Sequence, residues 1–204
     1  MRSVLVTGGA GFIGSNLVEE LLRHKIVVSI IDDLSSGDIK KVPQGVRFLK
    51  KDLSIISQEE LIDFMKGVDT VFHLAAKARV QPSIEDPIAF NKANVDSTLN
   101  VLHASKKVGV QRVIYSASSS CYGDTKNVPT PETDVIDPLS PYALQKYIGE
   151  EYCRLFSKIY ELDTVCLRYF NVYGEGMKHT DAYSLVLSVW KNQYDKGLPL
   201  TITN

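Results

Sequence analysis

The sequence predicts an α/β fold with a doubly wound parallel sheet, and three observations support that fold class. A short apolar run, residues 4–6, ends in a glycine-rich turn that opens directly into a helical pattern. Five more apolar runs of strand length follow, and stretches of helical periodicity lie between most of them. The connections are short. Such alternation is typical of a parallel sheet with helices on both faces and right-handed crossovers.

The composition describes one large globular domain, or one domain and the start of another. The 204 residues include 44% hydrophobic and 23% charged residues, and the formal net charge is −1. This charge argues against nucleic acid or an acidic membrane as the main partner. No apolar stretch approaches the ~20 residues that a membrane-spanning helix needs.

The N-terminus and the cysteines favour a reducing, cytoplasmic setting. The first apolar run is too short for a signal peptide and meets glycines instead of a cleavage site. The chain has an odd number of cysteines, and their spacing suggests no disulfide pair: they are Cys121, Cys153 and Cys166. The four histidines are scattered without a partner at helical spacing, so no metal site is expected.

The first element is a strand, a glycine turn and a helix. Its glycines can be read as Gly8-x-x-Gly11-x-x-Gly14 or as Gly9-x-Gly11-x-x-Gly14. Glycines there permit unusual backbone angles, let a pyrophosphate approach the backbone, and let the helix pack close to the strand. The start of the helix then offers free N–H groups to phosphates. An ordinary tight turn is the alternative for an isolated match.

The second strand supplies the context that favours dinucleotide binding over an ordinary turn. Its apolar run, residues 26–31, ends in Asp32. An acid at this point accepts hydrogen bonds from the adenosine ribose hydroxyls and repels a 2′-phosphate. No arginine stands beside Asp32 to reverse that preference. The sequence therefore predicts NAD in preference to NADP.

A loop at residues 35–38, a third strand at residues 46–49 and a helix over about residues 58–65 come next. Ser57 and Glu60 stand at the spacing of a capping box, which predicts the start of that helix.

Two features of the middle of the chain suggest contact with a ligand. The fourth strand, residues 68–74, is followed by the small residues Ala75 and Ala76, which leave room for a flat group, although simple packing would also explain them. A long helical stretch over residues 86–108 contains Asn94. Asparagine is mildly unfavourable within a helix unless it has a partner, so we expect a functional contact.

The fifth strand, residues 112–116, leads into a cluster of serines, Ser118, Ser119 and Ser120. Ligands bind beyond the carboxyl ends of strands in open α/β sheets, so this cluster is well placed for chemistry. A serine-rich loop without function is the alternative.

The next helix begins with a second motif. Ser140 is a predicted N-cap and Pro141 occupies the first helical position. Tyr142 and Lys146 then lie one turn apart on one face. A surface tyrosine over a solvated lysine is common at this spacing. The preceding glycine turn and serine cluster favour a functional pair instead.

The end of the chain begins with a sixth strand, residues 164–168, and a loop, residues 169–174. A helix from Ala182 to about Lys196 and an extended run from residue 198 follow.

Together these motifs resemble the extended short-chain dehydrogenase/reductase family, and most closely its nucleotide-sugar epimerases of the UDP-glucose or UDP-N-acetylglucosamine 4-epimerase type. The resemblance covers the whole chain. The motifs that carry it are Thr7–Gly14, Asp32 with Leu34–Gly37, Asp52-Leu53, His73–Ala76, Asn94-Val95, Ser116–Ser118 with Tyr122-Gly123, Tyr142-x-x-x-Lys146 and Arg168–Gly174.

The resemblance implies roles for individual residues. The catalytic residues would be Ser118, Tyr142 and Lys146. The residues that bind NAD would be Gly8, Gly11, Phe12, Ile13, Asp32, Asp33, Ser36, Gly37, Asp52, Leu53, Leu74, Ala75, Ala76, Asn94, Ser116, Tyr142, Lys146 and Tyr169. The residues that bind the substrate would be Val80, Ser118, Tyr142 and Asn171.

The implied reaction is NAD-dependent epimerisation of a UDP-hexose or UDP-N-acetylhexosamine at C4 through a transient 4-keto sugar. Tyr142 would remove the 4-hydroxyl proton, Ser118 would relay it, and Lys146 with the positive nicotinamide ring would lower the pKa of Tyr142. Alternatives are a decarboxylase, dehydratase or reductase on the same scaffold, or a non-catalytic NAD-binding module for this piece alone. A 4,6-dehydratase would need carboxyls where Ser119 and Ser120 stand.

The resemblance also implies an architecture. Residues 1–174 would form a Rossmann domain that binds NAD, and residues 175–204 would begin a smaller C-terminal substrate lobe that is mostly absent from this chain. Helices around residues 86–108 and 141–160 would pair with their copies in a homodimer.

Overall fold

The computed structural model describes residues 2–177 and 186–202. The chain divides into two compact units, Met1–Phe170 and Asn171–Asn204. The first unit contains all the strands in the described residues, and the second contains one helix.

The strands are β1 Ser3–Thr7, β2 Val27–Asp32, β3 Arg47–Lys50, β4 Thr70–His73, β5 Arg112–Ser118 and β6 Asp163–Tyr169. The α-helices are α1 Phe12–Arg23, α2 Gln58–Met65, α3 Val80–Glu85, α4 Pro87–Asn91, α5 Ser97–Val108, α6 Pro141–Tyr160 and α7 Val186–Asp195. Short 3₁₀ turns span Ile39–Lys41 and Ser119–Tyr122, and a π-helical segment spans Lys92–Asp96.

The first unit is built on one parallel sheet with the strand order β3-β2-β1-β4-β5-β6. Every neighbouring pair runs parallel. The predicted doubly wound parallel α/β sheet, the Rossmann arrangement, is therefore confirmed. The strand order reverses between β1 and β4, and the crevice beyond their carboxyl ends is where open α/β sheets bind ligands.

Apolar clusters cover both faces of the sheet, which explains why its strands read as nearly continuous apolar runs. Val4 and Val6 pack with Val18 of α1 in one cluster. Leu5, between them in sequence, belongs to the larger cluster that includes residues of α2, α5 and α6. Successive side chains of β1 therefore serve opposite faces.

Both predicted serine caps are present. The Ser57 hydroxyl accepts from the Glu60 N–H at 3.2 Å and caps α2. The Ser140 hydroxyl accepts from the Ala143 N–H at 3.1 Å and caps α6, which has Pro141 in its first turn. In the described residues no helix is both long and apolar enough to cross a membrane.

The helical stretch predicted over residues 86–108 is confirmed, since helical residues run without a gap from Pro87 to Val108. Its middle is the π-helical segment between α4 and α5, and a separate helix, α3, precedes it. The hydroxyl of Thr98, in the first turn of α5, donates to the carbonyl of Asn94 in that segment at 2.6 Å. A π-helical turn leaves some carbonyls without their usual backbone N–H partner, and a side-chain donor of this kind supplies one. Such segments are frequent at functional sites.

The second unit differs from expectation at its end. The described helix begins at Val186, so residues 182–185 of the predicted helix lie outside the described residues. The predicted extended run from residue 198 forms no strand in the described part. Its backbone bonds to helix side chains instead, because the Thr201 carbonyl accepts from Trp190 Nε1 at 2.7 Å and the Thr201 N–H donates to Gln193 Oε1 at 3.0 Å.

Candidate active site

The glycine turn after β1 has the close packing that a pyrophosphate site requires. Gly8 has a φ of +71°, and a Cβ there would lie 2.8 Å from the Ala75 nitrogen. A Cβ on Gly14 would lie 2.2 Å from the Gly8 carbonyl oxygen. No side chain caps α1 at Gly11. The N–H groups of the first turn of α1, including those of Phe12 and Ile13, are therefore available to an anion.

Asp32 holds the glycine turn against the loop that follows β2. Its Oδ2 accepts from the Ala10 N–H at 2.9 Å, and its Oδ1 accepts from the Leu34 N–H at 2.8 Å. A Cβ on Gly37 would lie 2.9 Å from Asp32 Oδ1, so only glycine fits beside the carboxylate. Burial raises the pKa of Asp32, and the two backbone bonds partly offset this effect. Each oxygen keeps a lone pair for a further donor.

The other residues predicted on the adenosine side lie on neighbouring loops. Asp33 and Ser36 are exposed beside Asp32. Asp52 follows β3, and its Oδ1 accepts from both the N–H and the hydroxyl of Ser54 at 2.8 Å. Leu53 packs into the core with 4% exposure, so a ligand contact there is limited to its backbone.

A buried polar chain supports the end of β4. Thr7 Oγ1 accepts from the N–H groups of residues 74 and 75 at 3.2 Å. Its own proton therefore goes to His73 Nδ1, 2.7 Å away, and His73 Nε2–H donates to Thr98 Oγ1 at 3.0 Å. Thr98 donates in turn to the Asn94 carbonyl. The chain has one direction and holds His73 as a neutral imidazole protonated on Nε2.

Burial lowers the pKa of His73 to about 3, from an ordinary value of 6.5. Between these values only the unfolded chain takes up the proton. The free energy of unfolding should therefore fall as the pH falls from 6.5, by at most about 1.4 kcal/mol per pH unit from this residue. Replacing His73 with glutamine removes the titration. The free energy of unfolding, measured with urea, should therefore fall less between about pH 7 and pH 5 in this variant than in the wild type. His24→Gln is the control, because that side chain is 70% exposed. Equal slopes of the free energy of unfolding against pH in wild type and His73→Gln would contradict the assignment of His73 as a buried neutral imidazole.

Asn94, in the π-helical segment, finds its side-chain partners within the chain, and its contact with a ligand stays a prediction. Its Oδ1 accepts from the Lys77 N–H at 2.8 Å, and its Nδ2 donates to the Lys77 carbonyl at 3.1 Å and to Gln145 Oε1 at 3.1 Å. Asn94 therefore ties the loop after β4, which carries the predicted nicotinamide-side residues Leu74, Ala75 and Ala76, to helix α6.

Ser118 and Tyr142 meet at the carboxyl end of β5, and Lys146 lies one helical turn after Tyr142 on α6. The Ser118 hydroxyl forms a hydrogen bond with the Tyr142 hydroxyl. Lys146 is 4% exposed, and its Nζ lies 4.6 Å from the centre of the Tyr115 ring. The Tyr115 hydroxyl donates to the Lys146 carbonyl at 3.3 Å, so Tyr115 supports the helix turn that carries the lysine.

Burial governs the pKa values of this group. It raises the pKa of Tyr142, although the bond with Ser118 acts in the opposite direction. It lowers the pKa of Lys146 to about 8. The expected lowering of the Tyr142 pKa is therefore not produced by the chain's own groups, because the burial of the phenol outweighs the bond with Ser118.

Ser116 lies in β5 two residues before Ser118. Its Oγ is buried and has no hydrogen-bond partner among the described residues. A buried hydroxyl without a partner costs about 1–3 kcal/mol. A polar ligand group at this strand end would supply one. The glycine turn, the Asp32 carboxylate and this hydroxyl all lie at the carboxyl edge of the sheet, so the residues present fit a dinucleotide.

The predicted substrate-side residues are placed less completely. Val80 begins α3 and is 46% exposed. The Ser83 hydroxyl donates to the Val80 carbonyl at 2.6 Å and accepts from the Tyr142 N–H at 3.1 Å. These two bonds link α3 to the start of α6, where Tyr142 lies. Tyr169 pairs with Ser118 across β5 and β6. Asn171 begins the second unit, and its contact stays a prediction.

Sequence reasoning gave no role to an ion pair that fixes α6. Arg168 Nη2 bonds to Glu150 Oε2 at 2.8 Å, and its Nη1 donates to the Tyr122 hydroxyl at 2.8 Å and the Glu132 carbonyl at 3.1 Å. The clamp joins β6, α6 and the loop after β5. One sequence signal could have indicated this ion pair. Glu150 lies four residues after Lys146 and therefore on the same helix face. A charged residue buried on that face needs a partner of opposite charge.

Comparison with known proteins agrees with this geometry. Residues 4–204 match the profile of the NAD dependent epimerase/dehydratase family. A putative UDP-glucose 4-epimerase from Methanocaldococcus jannaschii is 39% identical over 173 residues, which are 84% of this chain and 56% of that protein.

Two solved structures are also similar. The UDP-N-acetylglucosamine 4-epimerase of Methanobrevibacter ruminantium, in complex with UDP-N-acetylmuramic acid, is 38% identical with a TM-score of 0.91 over 97% of this chain and 64% of its own. The UDP-glucose 4-epimerase of Thermus thermophilus, in complex with NAD, is 36% identical with a TM-score of 0.89 over 98% of this chain and 65% of its own. This chain thus spans less than two thirds of the length of these relatives. Because the family profile matches almost all of the chain, the chain belongs to the NAD dependent epimerase/dehydratase family.

Proposed function

We propose that the protein carrying this chain is an NAD-dependent nucleotide-sugar 4-epimerase that acts on a UDP-hexose or UDP-N-acetylhexosamine. The observation that carries the proposal is the hydrogen bond between Ser118 and Tyr142 at the carboxyl edge of the sheet, the edge that also holds the glycine turn, with the buried Lys146 one helical turn after Tyr142. The names of the relatives support the reaction, and their complexes with NAD and a UDP-sugar support the ligands.

In this proposal residues 1–174 bind NAD and residues 175–204 begin the substrate lobe. The glycine turn receives the pyrophosphate, and Asp32 receives the ribose hydroxyls on its remaining lone pairs. Asn94 acts on the cofactor through the loop that it holds, and Ser116 Oγ finds its missing partner there. Bound NAD⁺ supplies the hydride acceptor for C4 of the sugar and a positive charge beside the tyrosine.

The residues of the chain manage the proton. Tyr142, as a phenolate, accepts the proton of the sugar 4-hydroxyl, and the hydrogen bond that Ser118 donates to the phenolate oxygen holds that oxygen in place before the transfer. Lys146 adds positive charge at the base of the site. The keto sugar then presents its other face, C4 takes the hydride back on that face, and Tyr142 returns the proton to O4. The configuration at C4 is inverted without net oxidation.

The proposal is tested on the full-length protein with UDP-glucose and UDP-N-acetylglucosamine as separate substrates. We expect the corresponding C4 epimer, detected by proton NMR, with no loss of water or carbon dioxide and no requirement for added NAD(H) beyond a catalytic amount. A product that lacks water or carbon dioxide, or net reduction of the sugar, would replace the epimerase assignment with one of the related reactions.

Asp32 should make NAD bind more tightly than NADP. Its buried carboxylate faces the proposed position of the ribose, and repulsion of a 2′-phosphate should amount to about 1–3 kcal/mol, or roughly fivefold to 150-fold in affinity. Calorimetric titration of both cofactors measures the ratio. Asp63→Asn is the control, because it removes one charge from an exposed carboxylate on α2 that bonds to Lys66, and it should leave the ratio unchanged. Equal affinities for the two cofactors would refute this role of Asp32.

We also propose a homodimer formed through the helical region over residues 86–108 and through α6. Leu144, Leu155 and Ile159 of α6 are 47%, 44% and 57% exposed at helical spacing, which supports a partner on that face. Sedimentation equilibrium should give twice the chain mass, and Leu155→Glu should shift it toward one chain mass. Ser157→Glu is the control for added charge, because Ser157 is exposed on the opposite face of α6. A wild-type protein of one chain mass would overturn the dimer.

We further propose a cytoplasmic location. The free thiols of Cys121, Cys153 and Cys166 support a reducing compartment. The net charge of −1 gives no reason to expect nucleic acid or an acidic membrane as a partner.

A further inference from the structure

The loop after β5 contains a hydroxyl, that of Ser120, that the reaction scheme above does not use. Ser118 Oγ accepts from the Ser120 N–H at 3.2 Å, and Ser120 Oγ lies 2.8 Å from the same oxygen. The third partner of Ser118 Oγ is the Tyr142 hydroxyl. Ser118 is 9% exposed, so these contacts are made largely away from water.

Counting protons and lone pairs limits how this group can be arranged. A serine hydroxyl has one proton and two lone pairs. The Ser120 N–H always occupies one lone pair of Ser118. The proton and the other lone pair are therefore divided between Tyr142 and the Ser120 hydroxyl. When Ser118 donates to Tyr142, it accepts from Ser120, and when it accepts from Tyr142, it donates to Ser120.

The reaction requires both arrangements. A phenolate only accepts, so Ser118 must donate toward Tyr142 before proton transfer, and Ser120 must then donate to Ser118. Once Tyr142 holds the proton, it becomes a donor, and Ser118 needs an acceptor for its own proton. A hydroxyl at residue 120 meets both needs because it rotates between donor and acceptor.

We propose that Ser120 is a positioning residue that sets the direction of the Ser118 hydroxyl in both halves of the proton transfer. The inference rests on the proposed epimerase function. Ser120 acts through Ser118 and has no assigned contact with the sugar. No group is consumed, because the two hydroxyl protons only exchange partners.

A purely structural role for Ser120 is separable from this one. The Ser118 side chain caps the 3₁₀ turn Ser119–Tyr122 by accepting from the Ser120 backbone N–H. Replacing Ser120 with alanine keeps that backbone bond and removes only the hydroxyl. Replacing it with threonine keeps the hydroxyl and adds a methyl group. The pair of variants therefore tests the hydroxyl and not the turn.

The experiment uses the full-length protein with Ser120→Ala, Ser120→Thr and Ser119→Ala as the neighbouring control. For Ser120→Ala we expect kcat to fall by about tenfold to a hundredfold with KM within about twofold of wild type. The acid limb of the kcat profile should move to higher pH, because the phenolate loses a committed donor. Ser120→Thr should restore kcat to within a few fold, and Ser119→Ala should resemble wild type.

A second readout does not depend on turnover. Ultraviolet difference absorbance, with Tyr142→Phe as the reference, reports the ionisation of Tyr142, and its midpoint should rise in Ser120→Ala and return in Ser120→Thr. A wild-type midpoint and wild-type kcat in Ser120→Ala would overturn the inference. A raised midpoint in a protein whose wild type does not epimerise would keep the inference on Ser120 and reject the proposed function.

Discussion

Replacing Tyr142 with phenylalanine should lower kcat of the full-length protein by about 10²-fold to 10⁴-fold while NAD stays bound. The substitution removes one oxygen, the group that takes and returns the proton of the sugar hydroxyl. The buried ring is kept, and the backbone bond from Tyr142 to Ser83 is unaffected. Folding should therefore change little, and the loss should appear in kcat rather than in cofactor affinity.

The measurement is steady-state epimerisation together with titration of NAD. Tyr147→Phe is the matched control, since it removes a phenolic hydroxyl from the same helix. That hydroxyl interacts with Glu151 and not with Ser118. Turnover of Tyr142→Phe at the wild-type level would exclude Tyr142 as the base. Loss of NAD binding in this variant would assign the residue to cofactor binding instead.

The sheet could be predicted from the sequence because its signals are local. Strands buried on both faces read as apolar runs such as residues 4–6, and serine caps such as Ser140 mark where helices begin. The π-helical character of Lys92–Asp96 could not be predicted, since apolar spacing does not distinguish a π-helical turn from an α-helical one. The unfavourable position of Asn94 was the one local sign of it.

The place of the candidate site could also be predicted, because strand ends and helix starts meet at one edge of a parallel sheet, and the roles of its residues stay predictions. Their electrostatics could not be predicted. Burial sets the direction of the Tyr142 pKa, and burial is a property of the packed fold, which the spacing of Tyr142 and Lys146 does not contain. The clamp between Arg168 and Glu150 joins residues 18 apart in sequence on different elements, and only the fold brings them together.

Gly14 gives a case in which sequence propensity and packing predict opposite signs. The residue lies inside α1, where alanine is favoured over glycine by about 1 kcal/mol. A Cβ at this position would lie 2.2 Å from the Gly8 carbonyl oxygen and 2.8 Å from the Gly9 Cα. These are backbone atoms of the turn itself and cannot rotate away. Gly14→Ala must therefore push α1 away from the turn that is proposed to receive the pyrophosphate.

We expect Gly14→Ala to lower the free energy of unfolding by about 3 kcal/mol, since overpacking a tight contact costs more than the helix propensity returns. Affinity for NAD should fall by at least about tenfold, because the phosphate-binding N–H groups move with the helix. Urea unfolding and calorimetric titration measure the two effects. Gly109→Ala is the control: its φ is +77° and its Cβ would meet nothing within 4 Å. It should cost about 1 kcal/mol of backbone strain and leave NAD affinity unchanged. A Gly14→Ala protein more stable than wild type would show that the turn can move to accept the Cβ, and that the helix propensity of alanine outweighs the close contact.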